Sequence, residues 1–443
     1  MNNDLYYEVI YHLISIIKND GELSLALLFF PYVILMEMPF NIIIILASIR
    51  NWLRRGNTTP YGLNSYPLIT VIITSYNESK EELNITMRSL AEQNYPGKIE
   101  SIFIFDGANN NKLSIRFAEE LMLAYKGIRN REFRIVKKFT RGGHANSMNL
   151  GLRLAKGNIF VMLDADTSID NQSISWAVRH FNDPNVICVS GAVRVRNFKD
   201  TILTRLQAIE YMLGIQLGRF GLSEVNAVNN ISGAFGIFKT DFIRRIGGWL
   251  NGTAEDLDLT LRMHAYSSRY PNLKIVHEPY AVAWTAAPKK VRKLLKQRMR
   301  WDGDLYYIFV RRHWRKFSGR FLGRTKNIFM IWYSLYFQLT LPFIILFYTI
   351  WLFLHYDLGF LIAINSLIYA YYLTVEIFLF LLFLILVSER PRQDAKLFGW
   401  LFLMPIYLQI MRLVAGYFII REMIFKTHKT SSMAPWYIIR KTK

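Results

Sequence analysis

The sequence predicts an α/β domain inserted between transmembrane helices, and three observations support this fold class. Short β-branched apolar segments alternate with helix-like segments over residues 67–287, as in Rossmann-like folds. Long apolar stretches on both sides of this region have the length that a bilayer requires. Acidic motifs stand where the predicted strands end, which is where α/β folds bind their ligands.

The composition favours a membrane protein over a nucleic-acid-binding protein. Of 443 residues, 52% are hydrophobic and 15% are aromatic, and the formal net charge is +21. Basic residues flank the apolar stretches, as Arg50, Arg54 and Arg55 do, in the pattern of a positive-inside membrane protein. We therefore expect contact with membrane lipid and no nucleic-acid partner. Cys188 is the only cysteine, which excludes an intramolecular disulfide, and we expect it to be buried.

Residues 1–55 are predicted to form an N-terminal membrane segment. The apolar stretch Ser24–Ile49 can cross roughly 30 Å of hydrocarbon. No cleavable signal peptide is expected, because the residues before this stretch are acidic rather than basic. Glu37 lies near the middle of the stretch, so we predict that its carboxylate has a partner inside the protein.

Residues 67–287 are predicted to form one α/β domain with a parallel sheet. The β-branched run Leu68–Thr74 and the apolar runs Ile99–Phe105 and Ile159–Leu163 have the pattern of buried strands. The segment Glu81–Gln93, between the first two runs, has the pattern of a helix. Because the carboxyl ends of parallel strands meet at one edge, we expect the polar residues after each strand to share a crevice.

The chain after residue 287 is predicted to return to the membrane. Residues 288–322 have the pattern of an amphipathic interfacial helix, residues 327–425 form a transmembrane block, and residues 426–443 form a basic tail. Three full spans in the block would place the tail opposite the α/β domain, against the positive-inside tendency. Because the third apolar stretch contains Pro405 and Arg412, we keep three interpretations open: a span, a bent or re-entrant helix, and an interfacial helix.

Two aspartates, Asp164 and Asp166, follow the third predicted strand and are separated by one residue. Carboxylates in this arrangement can hold a divalent cation, Mg²⁺ or Mn²⁺, that bridges the phosphates of a nucleotide. The alternative is an exposed turn with two solvated carboxylates. The buried strand before the pair and the motifs that accompany it favour the metal site.

Polar residues also follow the first two predicted strands. Tyr76 and Glu78 lie in the loop after the first strand, where the aromatic ring can stack on a base. Asp106 follows the second strand and either accepts a hydrogen bond from a base or ribose or caps the turn before Gly107. His144 follows a glycine pair that permits close approach of backbone to phosphate, so it is either a cation at that site or a structural histidine.

Two further motifs have helical spacing. Glu255 and Asp256 open a helix-like segment, where acidic residues either favour the helix dipole or supply a general base that deprotonates an acceptor hydroxyl. Gln297, Arg300 and Trp301 share one helical face, because they are three and four residues apart. This face offers an amide, a cation for a leaving diphosphate and an indole for a sugar ring, or else it anchors an interfacial helix.

The four motifs in this order resemble the processive inverting family-2 glycosyltransferases of the GT-A fold, which synthesise cellulose, chitin, hyaluronan and poly-β-1,6-N-acetylglucosamine. They are Asp106-Gly107, Asp164-Ala165-Asp166, Glu255-Asp256 and Gln297-Arg298-Met299-Arg300-Trp301. The resemblance covers nearly the whole chain. It implies an integral protein of a bacterial-type plasma membrane, whose cytosolic GT-A domain polymerises a β-linked polysaccharide from UDP-N-acetylglucosamine or UDP-glucose. It further implies that the membrane helices move the product across.

The resemblance also implies a role for each motif. Asp256 would be the catalytic base, and Asp164 and Asp166 would hold the metal and the diphosphate. Asp106 would contact uridine, and Gln297, Arg300 and Trp301 would meet the acceptor end and the leaving group. From their own positions in the sequence, we predict that Tyr76, Glu78 and His144 join Asp106 in donor binding and that Glu255 lies with the acceptor-side residues. The expected partners are the UDP-sugar, the growing polysaccharide, membrane lipid and accessory export or regulatory subunits.

Two alternatives to a polymerase stay open, and several residues depart from the family pattern. The alternatives are a transferase that adds a single sugar to a membrane lipid carrier and a non-catalytic membrane subunit. Ala254 replaces the usual threonine before Glu255-Asp256, and Asp302 and Asp304 stand where small residues commonly follow the tryptophan. These departures bear on the identity of donor and acceptor more than on the reaction.

Overall fold

Strands of the α/β region form a single mixed sheet. The structure is a computed structural model that describes residues 2–18, 33–56, 66–250, 252–316 and 324–430. The strands are β1 Ile69–Ser75, β2 Ile99–Asp106, β3 Arg131–Lys138, β4 Ile159–Asp164, β5 Ser168–Ile169, β6 Val186–Val195, β7 Phe235–Lys239 and β8 Lys274–Thr285. We call these strands and the helices between them the sheet domain.

The α-helices of the described residues pack on the sheet or form the membrane region. They are α1 Asn2–Lys18, α2 Met38–Arg55, α3 Lys80–Ala91, α4 Lys112–Ala124, α5 His144–Leu154, α6 Ser173–Val178, α7 Ile202–Glu210, α8 Gly218–Glu224, α9 Thr240–Arg245, α10 Glu255–Ser267, α11 Val291–Tyr306, α12 Arg324–Met330, α13 Leu341–His355, α14 Leu358–Leu386, α15 Pro391–Asp394 and α16 Met404–Phe425. Wider π turns at Val33–Glu37, Tyr211–Leu217, Tyr307–Arg312 and Ile331–Thr340 join some of them, and a 3-10 segment, Ala395–Leu403, leads into α16.

The sheet has the strand order β3-β2-β1-β4-β7-β6-β8-β5 and is only partly parallel. The first four strands pair in parallel, as the alternation of strands and helices predicts. The predicted parallel sheet is correct for these strands but does not extend to the rest, because β7 pairs antiparallel with both β4 and β6, and β5 pairs antiparallel with β8. β7 follows a long helical excursion that begins after β6, so it enters the sheet from the opposite end.

Alternate residues of each central strand enter two different cores. Val71 and Ile73 of β1 pack with Leu83 and Met87 of α3 on one face. On the other face, Ile72 belongs to the core that α5, α9 and α10 complete. Burial on both faces explains why these strands read as continuous apolar runs rather than as alternating ones. The predicted burial of Cys188 is confirmed, since its exposed fraction is 0%.

Three helices among the described residues are long and apolar enough to cross a membrane: Lys326–His355, Leu358–Leu386 and Pro391–Phe425. The first consists of α12, a π turn and α13, and the second is α14 alone. Large apolar side chains such as Phe353 and Ile385 stand exposed on them, as lipid-facing residues do. Of the predicted N-terminal stretch Ser24–Ile49, the part before Val33 lies outside the described residues.

The N-terminal helix α2 is anchored at both ends by ion pairs. At its basic end, the Arg54 guanidinium lies 2.7 Å from Glu224, and the Arg55 guanidinium lies 2.5 Å from Glu278 of the sheet domain. Just before α2, Glu37 is 2% exposed. It accepts a 2.8 Å hydrogen bond from the Tyr372 hydroxyl and lies 3.2 Å from the Arg412 guanidinium, so the predicted internal partner of Glu37 exists.

Both ends of the apolar helix Pro391–Phe425 contact residues outside the membrane helices. One contact is with Arg194 of the sheet domain, and the other is with Arg311 next to α11. Near its start, Asp394 accepts hydrogen bonds of 2.9 and 3.0 Å from Arg194 of β6. Near its end, the backbone carbonyl of Met423 accepts a 3.4 Å hydrogen bond from Arg311, in the turn that extends α11. Just beyond the end, the His428 ring stacks on Tyr307 of the same turn, with centroids 4.2 Å apart.

Candidate active site

The carboxyl ends of β1, β2 and β4 meet at one edge of the sheet, as the sequence predicts. β1 pairs with β2 on one side and with β4 on the other. Tyr76 and Glu78, which follow β1, therefore lie between Asp106, the last residue of β2, and Asp164, the last residue of β4. The loop and the two carboxylates form one crevice.

The loop after β1 is held by local hydrogen bonds. Ser79 begins a capping box for α3, in which the Ser79 hydroxyl accepts from the Glu82 amide and the Glu82 carboxylate accepts from the Ser79 amide. Asn77 adopts a positive φ of 62°, and its amide donates a 2.6 Å hydrogen bond to the Asn111 side chain. These contacts fix the backbone that presents Tyr76 and Glu78 to the crevice.

Asp106 organises the glycine loop before α5. Its carboxylate accepts hydrogen bonds from the Lys138 ammonium at 2.5 Å and from the amides of Gly142 and Gly143, both at 2.8 Å. The sequence predicts that this glycine pair permits close approach of backbone to phosphate, and in the structure both amides donate to Asp106. A carboxylate offers about four acceptor positions, so three bonds leave about one for a ligand.

The Tyr76 ring is covered on one face by a cation. The guanidinium carbon of Arg141 lies 4.0 Å from the ring centre, within the range of a cation–π contact. Arg141 reaches this position because Gly107, with φ of +80°, has no side chain where a Cβ would come within 3.3 Å of the arginine. An aromatic ring and a guanidinium thus stand together at the crevice entrance.

Carboxylates crowd the crevice. Burial, and then the negative charges of Asp166 and Glu82, raise the pKa of Glu78 to about 7. Burial also raises the pKa of Asp164 to about 7, with Asp166 and Glu255 adding repulsion against the attraction of His144. Carboxyl groups this close together resist being ionised at the same time unless positive charge is added nearby.

His144 bridges the two acidic motifs. Its Nδ1 lies 2.6 Å from the Glu255 carboxylate, and its Nε2 lies 3.8 Å from the Asp164 carboxylate. Burial lowers the pKa of His144, but Glu255, Asp164 and Asp256 more than offset this and raise it to about 9. The imidazole therefore carries a positive charge between the motifs, at the first residue of α5.

Asp256 is held by backbone amides on the wall of the crevice. One carboxylate oxygen accepts a 2.7 Å hydrogen bond from the Leu257 amide. The other accepts hydrogen bonds from the Gly233 amide at 3.2 Å and from the Asn230 side chain at 3.4 Å. Burial and the neighbouring Glu255 carboxylate raise the pKa of Asp256, which makes it a stronger base once it is ionised.

The start of α10 presents these two carboxylates through a strained residue. Ala254 adopts a left-handed conformation with φ of 51° and makes no side-chain cap at the start of the helix. Glu255 and Asp256 lie in the first turn, where the helix dipole favours negative charge, and Asp256 accepts a hydrogen bond from the first-turn amide of Leu257. Strain at a residue beside charged groups is typical of functional sites.

The remaining predicted site residues, Gln297, Arg300 and Trp301, lie on α11. The Gln297 amide oxygen is buried and accepts no hydrogen bond within the described part of the chain. Arg300 interacts electrostatically with Glu255 and Asp304. Trp301 is 41% exposed, and its ring lies 6.5 Å from that of Tyr211. The predicted helical face thus borders the acidic motifs with an arginine and leaves an indole accessible.

Several side chains of the site are not apparent from the sequence. Arg196 donates a 3.0 Å hydrogen bond to the backbone carbonyl of Asp166. Burial raises the pKa of that aspartate, and the charge of Arg196 acts against this rise. Asn230 contacts Asp256, as described above. Both come from segments without a motif, so only the fold brings them in. Asp304 has a visible signal, since it departs from the family pattern, and burial raises its pKa to about 8.

Asp164 and Asp166 are the residues whose carboxylate oxygens would hold a metal ion. Within the described residues, no group of three histidine, cysteine, aspartate or glutamate side chains is arranged to hold a metal ion. Hard divalent cations commonly complete their coordination with water and substrate phosphates rather than with protein groups alone. The mutual repulsion of the crevice carboxylates shows that an added cation fits the chemistry of this donor set.

Residues 67–303 match the family model described as glycosyltransferase-like family 2. The chain is 30% identical over 285 residues to a poly-beta-1,6-N-acetyl-D-glucosamine synthase from Staphylococcus epidermidis, covering 64% of this chain and 62% of that one. It is also 30% identical over 293 residues to the same-named enzyme of Staphylococcus aureus strain COL, covering 64% and 67%. The chain thus spans about two thirds or less of the length of the curated relatives it matches.

A solved structure confirms the fold. The mannosyltransferase PcManGT of Pyrobaculum calidifontis, in complex with GDP-Man and Mn²⁺, is similar with a TM-score of 0.53 at 18% identity. The similarity covers 84% of this chain and 99% of that one. This similarity confirms the predicted GT-A fold, and the match to the family model confirms the predicted glycosyltransferase class. A family match over more than half of the chain shows that this protein belongs to glycosyltransferase-like family 2.

Proposed function

We propose that this protein is a processive, inverting glycosyltransferase that builds a β-linked polysaccharide from UDP-N-acetylglucosamine and passes it across the membrane. One observation carries the proposal: donor-side carboxylates, Asp256 and the face of α11 converge on one crevice beside the membrane helices. The names of the Staphylococcus relatives support N-acetylglucosamine as the sugar. UDP-glucose is the second donor to test.

The donor lies along the carboxyl ends of β1, β2 and β4 in this proposal. Asp106 uses its remaining acceptor position for the uracil base, and Tyr76 borders the base with its ring. The Asp106 interactions with Gly142, Gly143 and Lys138 hold that carboxylate in place before the donor arrives. Glu78 and His144 line the diphosphate region from two sides.

Asp166 and Asp164 are the residues that would hold Mg²⁺ or Mn²⁺. When bound, the cation supplies positive charge to the diphosphate of the donor. Two residues of the chain hold these carboxylates ready for the cation. Arg196 fixes the backbone of Asp166, and the His144 imidazole offsets the negative charge of Asp164.

Asp256 is the general base. It removes the proton from the acceptor hydroxyl as that oxygen forms a bond to the anomeric carbon, and the bond from this carbon to UDP breaks. Because attack comes from the face opposite UDP, the anomeric configuration inverts. Three hydrogen-bond donors hold the Asp256 carboxylate, so it faces the crevice without rotating. Positioning of this kind commonly lowers the activation barrier by several kcal/mol.

α11 binds the acceptor end and the leaving group. Arg300 is the cation nearest the acidic motifs on this helix and faces the leaving UDP. The exposed Trp301 indole stacks on the terminal sugar of the growing chain, and Gln297 and Glu255 complete the contacts there. Stacking tolerates translation of the polymer, which processive synthesis requires.

The test uses purified protein in lipid vesicles with labelled UDP-sugars. We expect UDP release from UDP-N-acetylglucosamine and a polymer that a β-specific glycosidase digests, whereas Asp256→Asn lowers both by roughly a hundredfold or more. Asp241→Asn, at an 87% exposed carboxylate, is the matched control and keeps the wild-type rate. A product with one added sugar would support transfer to a lipid carrier, and no UDP release with any donor would support a non-catalytic subunit.

The proposed membrane arrangement keeps the sheet domain and the basic tail on the same, cytosolic side. Both ends of Pro391–Phe425 contact elements of that side, through Arg194 and through Arg311. We therefore propose that this helix is re-entrant and that α2, Lys326–His355 and α14 are the crossing helices. The basic ends Arg54 and Arg55 of α2 bind the sheet domain, which supports the same orientation.

Single-cysteine labelling tests this arrangement, because the native Cys188 is fully buried. Cysteines are introduced as Lys426→Cys, as Asp241→Cys in the sheet domain and as Asp357→Cys in the turn between the crossing helices. With a membrane-impermeant maleimide, we expect Lys426→Cys to label together with Asp241→Cys and opposite to Asp357→Cys. Labelling of Lys426→Cys together with Asp357→Cys would mean that the last helix crosses.

A further inference from the structure

Arg298 lies inside the Gln-x-x-Arg-Trp motif, at a position whose role the family resemblance leaves open. It is three residues before Trp301, so both side chains project from one side of α11. The guanidinium carbon of Arg298 lies 5.0 Å from the indole centre of Trp301, a cation–π contact. One face of the exposed indole is therefore supported by a charged neighbour on the same helix.

Two residues outside α11 hold Arg298 in place. Glu210, the last residue of α7, accepts a hydrogen bond of 2.5 Å from the Arg298 guanidinium. The same carboxylate oxygen accepts a 2.8 Å hydrogen bond from the Tyr407 hydroxyl of α16. The side chains of Arg298 and Glu210 are 11% and 22% exposed, so solvent screens their attraction only partly.

The local backbone explains why Glu210 and its neighbour reach the motif. α7 widens into a π turn, Tyr211–Leu217, directly after Glu210, and Gly214 lies within this turn. Wider turns of this kind change the direction of side chains and are frequent at functional positions. Tyr211, the first residue of the turn, is 5% exposed, and its ring centre lies 6.5 Å from that of Trp301.

We propose that Glu210 and Tyr407 are positioning residues that fix Trp301, through Arg298, at the acceptor end of the site. The inference rests on the proposed function, in which Trp301 stacks on the terminal sugar. It adds that a residue of the membrane helix α16 sets the geometry of the acceptor site. The Glu210 carboxylate thus connects α11, which carries Trp301, with the membrane helix α16.

The proposal has a chemical consequence that separates positioning from general folding. When Trp301 is not held, the acceptor hydroxyl is less often within reach of the anomeric carbon. Water then takes its place: its oxygen forms the new bond to the sugar, its proton passes to Asp256, and UDP leaves. Free sugar accumulates and chains become shorter, while donor binding at β1, β2 and β4 is unchanged.

The experiment compares wild type, Glu210→Gln and Tyr407→Phe in vesicles with UDP-N-acetylglucosamine. Three quantities are measured: UDP release, sugar incorporated into polymer and polymer length. We expect Glu210→Gln to lower polymer formed per UDP released about tenfold, as the loss of a charged hydrogen bond predicts. Tyr407→Phe keeps the Glu210–Arg298 pair and lowers this ratio about threefold, with donor KM within twofold of wild type.

Two matched controls accompany these variants. Tyr417→Phe removes a hydroxyl from an exposed tyrosine of the same helix, and Glu224→Gln breaks an ion pair with Arg54 that is remote from α11. Both controls should keep the wild-type ratio of polymer to UDP.

The outcomes are distinguishable from failure of the proposed function. If wild type releases no UDP or forms no polymer, the proposed function fails first and the positioning role falls with it. If wild type forms polymer and Tyr407→Phe gives the same ratio and chain length, the positioning role is wrong. Tyr407→Phe decides the matter alone if Glu210→Gln does not fold, because it removes one oxygen atom. An equal loss of UDP release and polymer would mean a purely structural role and would also contradict the proposal.

Discussion

Acidic side chains gather at two places in this molecule, and they are neutralised differently. Where the sheet domain meets the membrane helices, which we call the junction, buried carboxylates are paired with arginines. Asp394 binds Arg194, and Glu278 binds Arg55. In the crevice, by contrast, the carboxylates of Asp164, Asp166 and Glu78 mainly face one another, and His144 is the cation placed between the two acidic motifs.

The difference teaches which charges serve the fold and which serve a ligand. A carboxylate that is paired with arginine is stable in the folded protein alone, and removing its partner leaves a costly buried charge. Carboxylates that repel one another weaken the fold until a cation arrives. The junction is therefore complete without ligand, whereas the crevice is completed by its substrate and metal.

The largest expected effect follows from removing a crevice carboxylate. Asp166→Asn should lower sugar transfer roughly a thousandfold, or about 4 kcal/mol in the barrier, because charge stabilisation of the diphosphate is lost. Without divalent cation, the unfolding midpoint of Asp166→Asn should not be lower than that of wild type, because one of the repelling charges has been removed. Turnover and the unfolding midpoint in detergent measure both. A destabilised Asp166→Asn protein would contradict the comparison, and activity that persists in a chelator would contradict the metal.

The next effect comes from the junction and has the opposite character. Arg194 is 2% exposed, so Arg194→Met leaves Asp394 and Glu389 buried without their cation. We expect a loss of about 3 kcal/mol in the free energy of unfolding, measured by denaturant titration. Arg88→Met, at an exposed helical ion pair with Glu92, is the control and should leave the unfolding midpoint unchanged. Equal effects of the two variants would remove the distinction between the regions.

A smaller effect concerns pH. Burial raises the pKa of Glu278, but His180, Arg55 and Arg179 more than offset this and lower it from 4.5 to about 2. Because the folded-state pKa is the lower one, the stabilisation is present above pH 4.5 and is lost as the pH falls from 4.5 towards 2. Glu278→Gln should make the pH dependence of the unfolding free energy shallower by up to one proton in this window. An unchanged slope would mean that Glu278 has an ordinary pKa.

The smallest effect concerns strain in the crevice. Ala254 adopts a left-handed conformation that glycine adopts without cost, so Ala254→Gly should raise the free energy of unfolding by about 0.5–1 kcal/mol. Ala265→Gly, in the interior of α10, is the matched control and should lower it by a similar amount. Calorimetry of both variants provides the measurement. A destabilised Ala254→Gly protein would show that the packing of the Ala254 methyl group contributes more stability than the backbone strain removes.

Much of the site was predictable because its motifs lie at the ends of regular elements. Asp106 and Asp164 end the two strands on either side of β1, and Asp256 opens a helix, so periodicity and topology together place them in one crevice. Position does not reveal partners, however. The sequence suggests that Asp106 is open to the nucleotide, whereas Lys138, Gly142 and Gly143 already bind it.

Contacts between distant segments are the part that sequence reasoning could not supply. Glu210 and Tyr407 are separated by 197 positions, and nothing in the local pattern of either residue points to Arg298. The antiparallel direction of β7 was not predictable either, because alternation of strands and helices carries no information about a strand that follows a long helical segment. Such pairings depend on which surfaces remain to be buried once the first four strands have formed.

The antiparallel strand β7 has a consequence for how this enzyme can vary. It lies between β4, which carries Asp164, and β6, and the loop just before it contacts Asp256. The excursion from residue 196 to residue 234 therefore leaves and rejoins the sheet at adjacent strands. Helices in that excursion can lengthen, shorten or change sequence without altering the distance between the donor carboxylates and the base. Acceptor preference can therefore evolve in this segment while the spacing of the proposed reacting groups is kept.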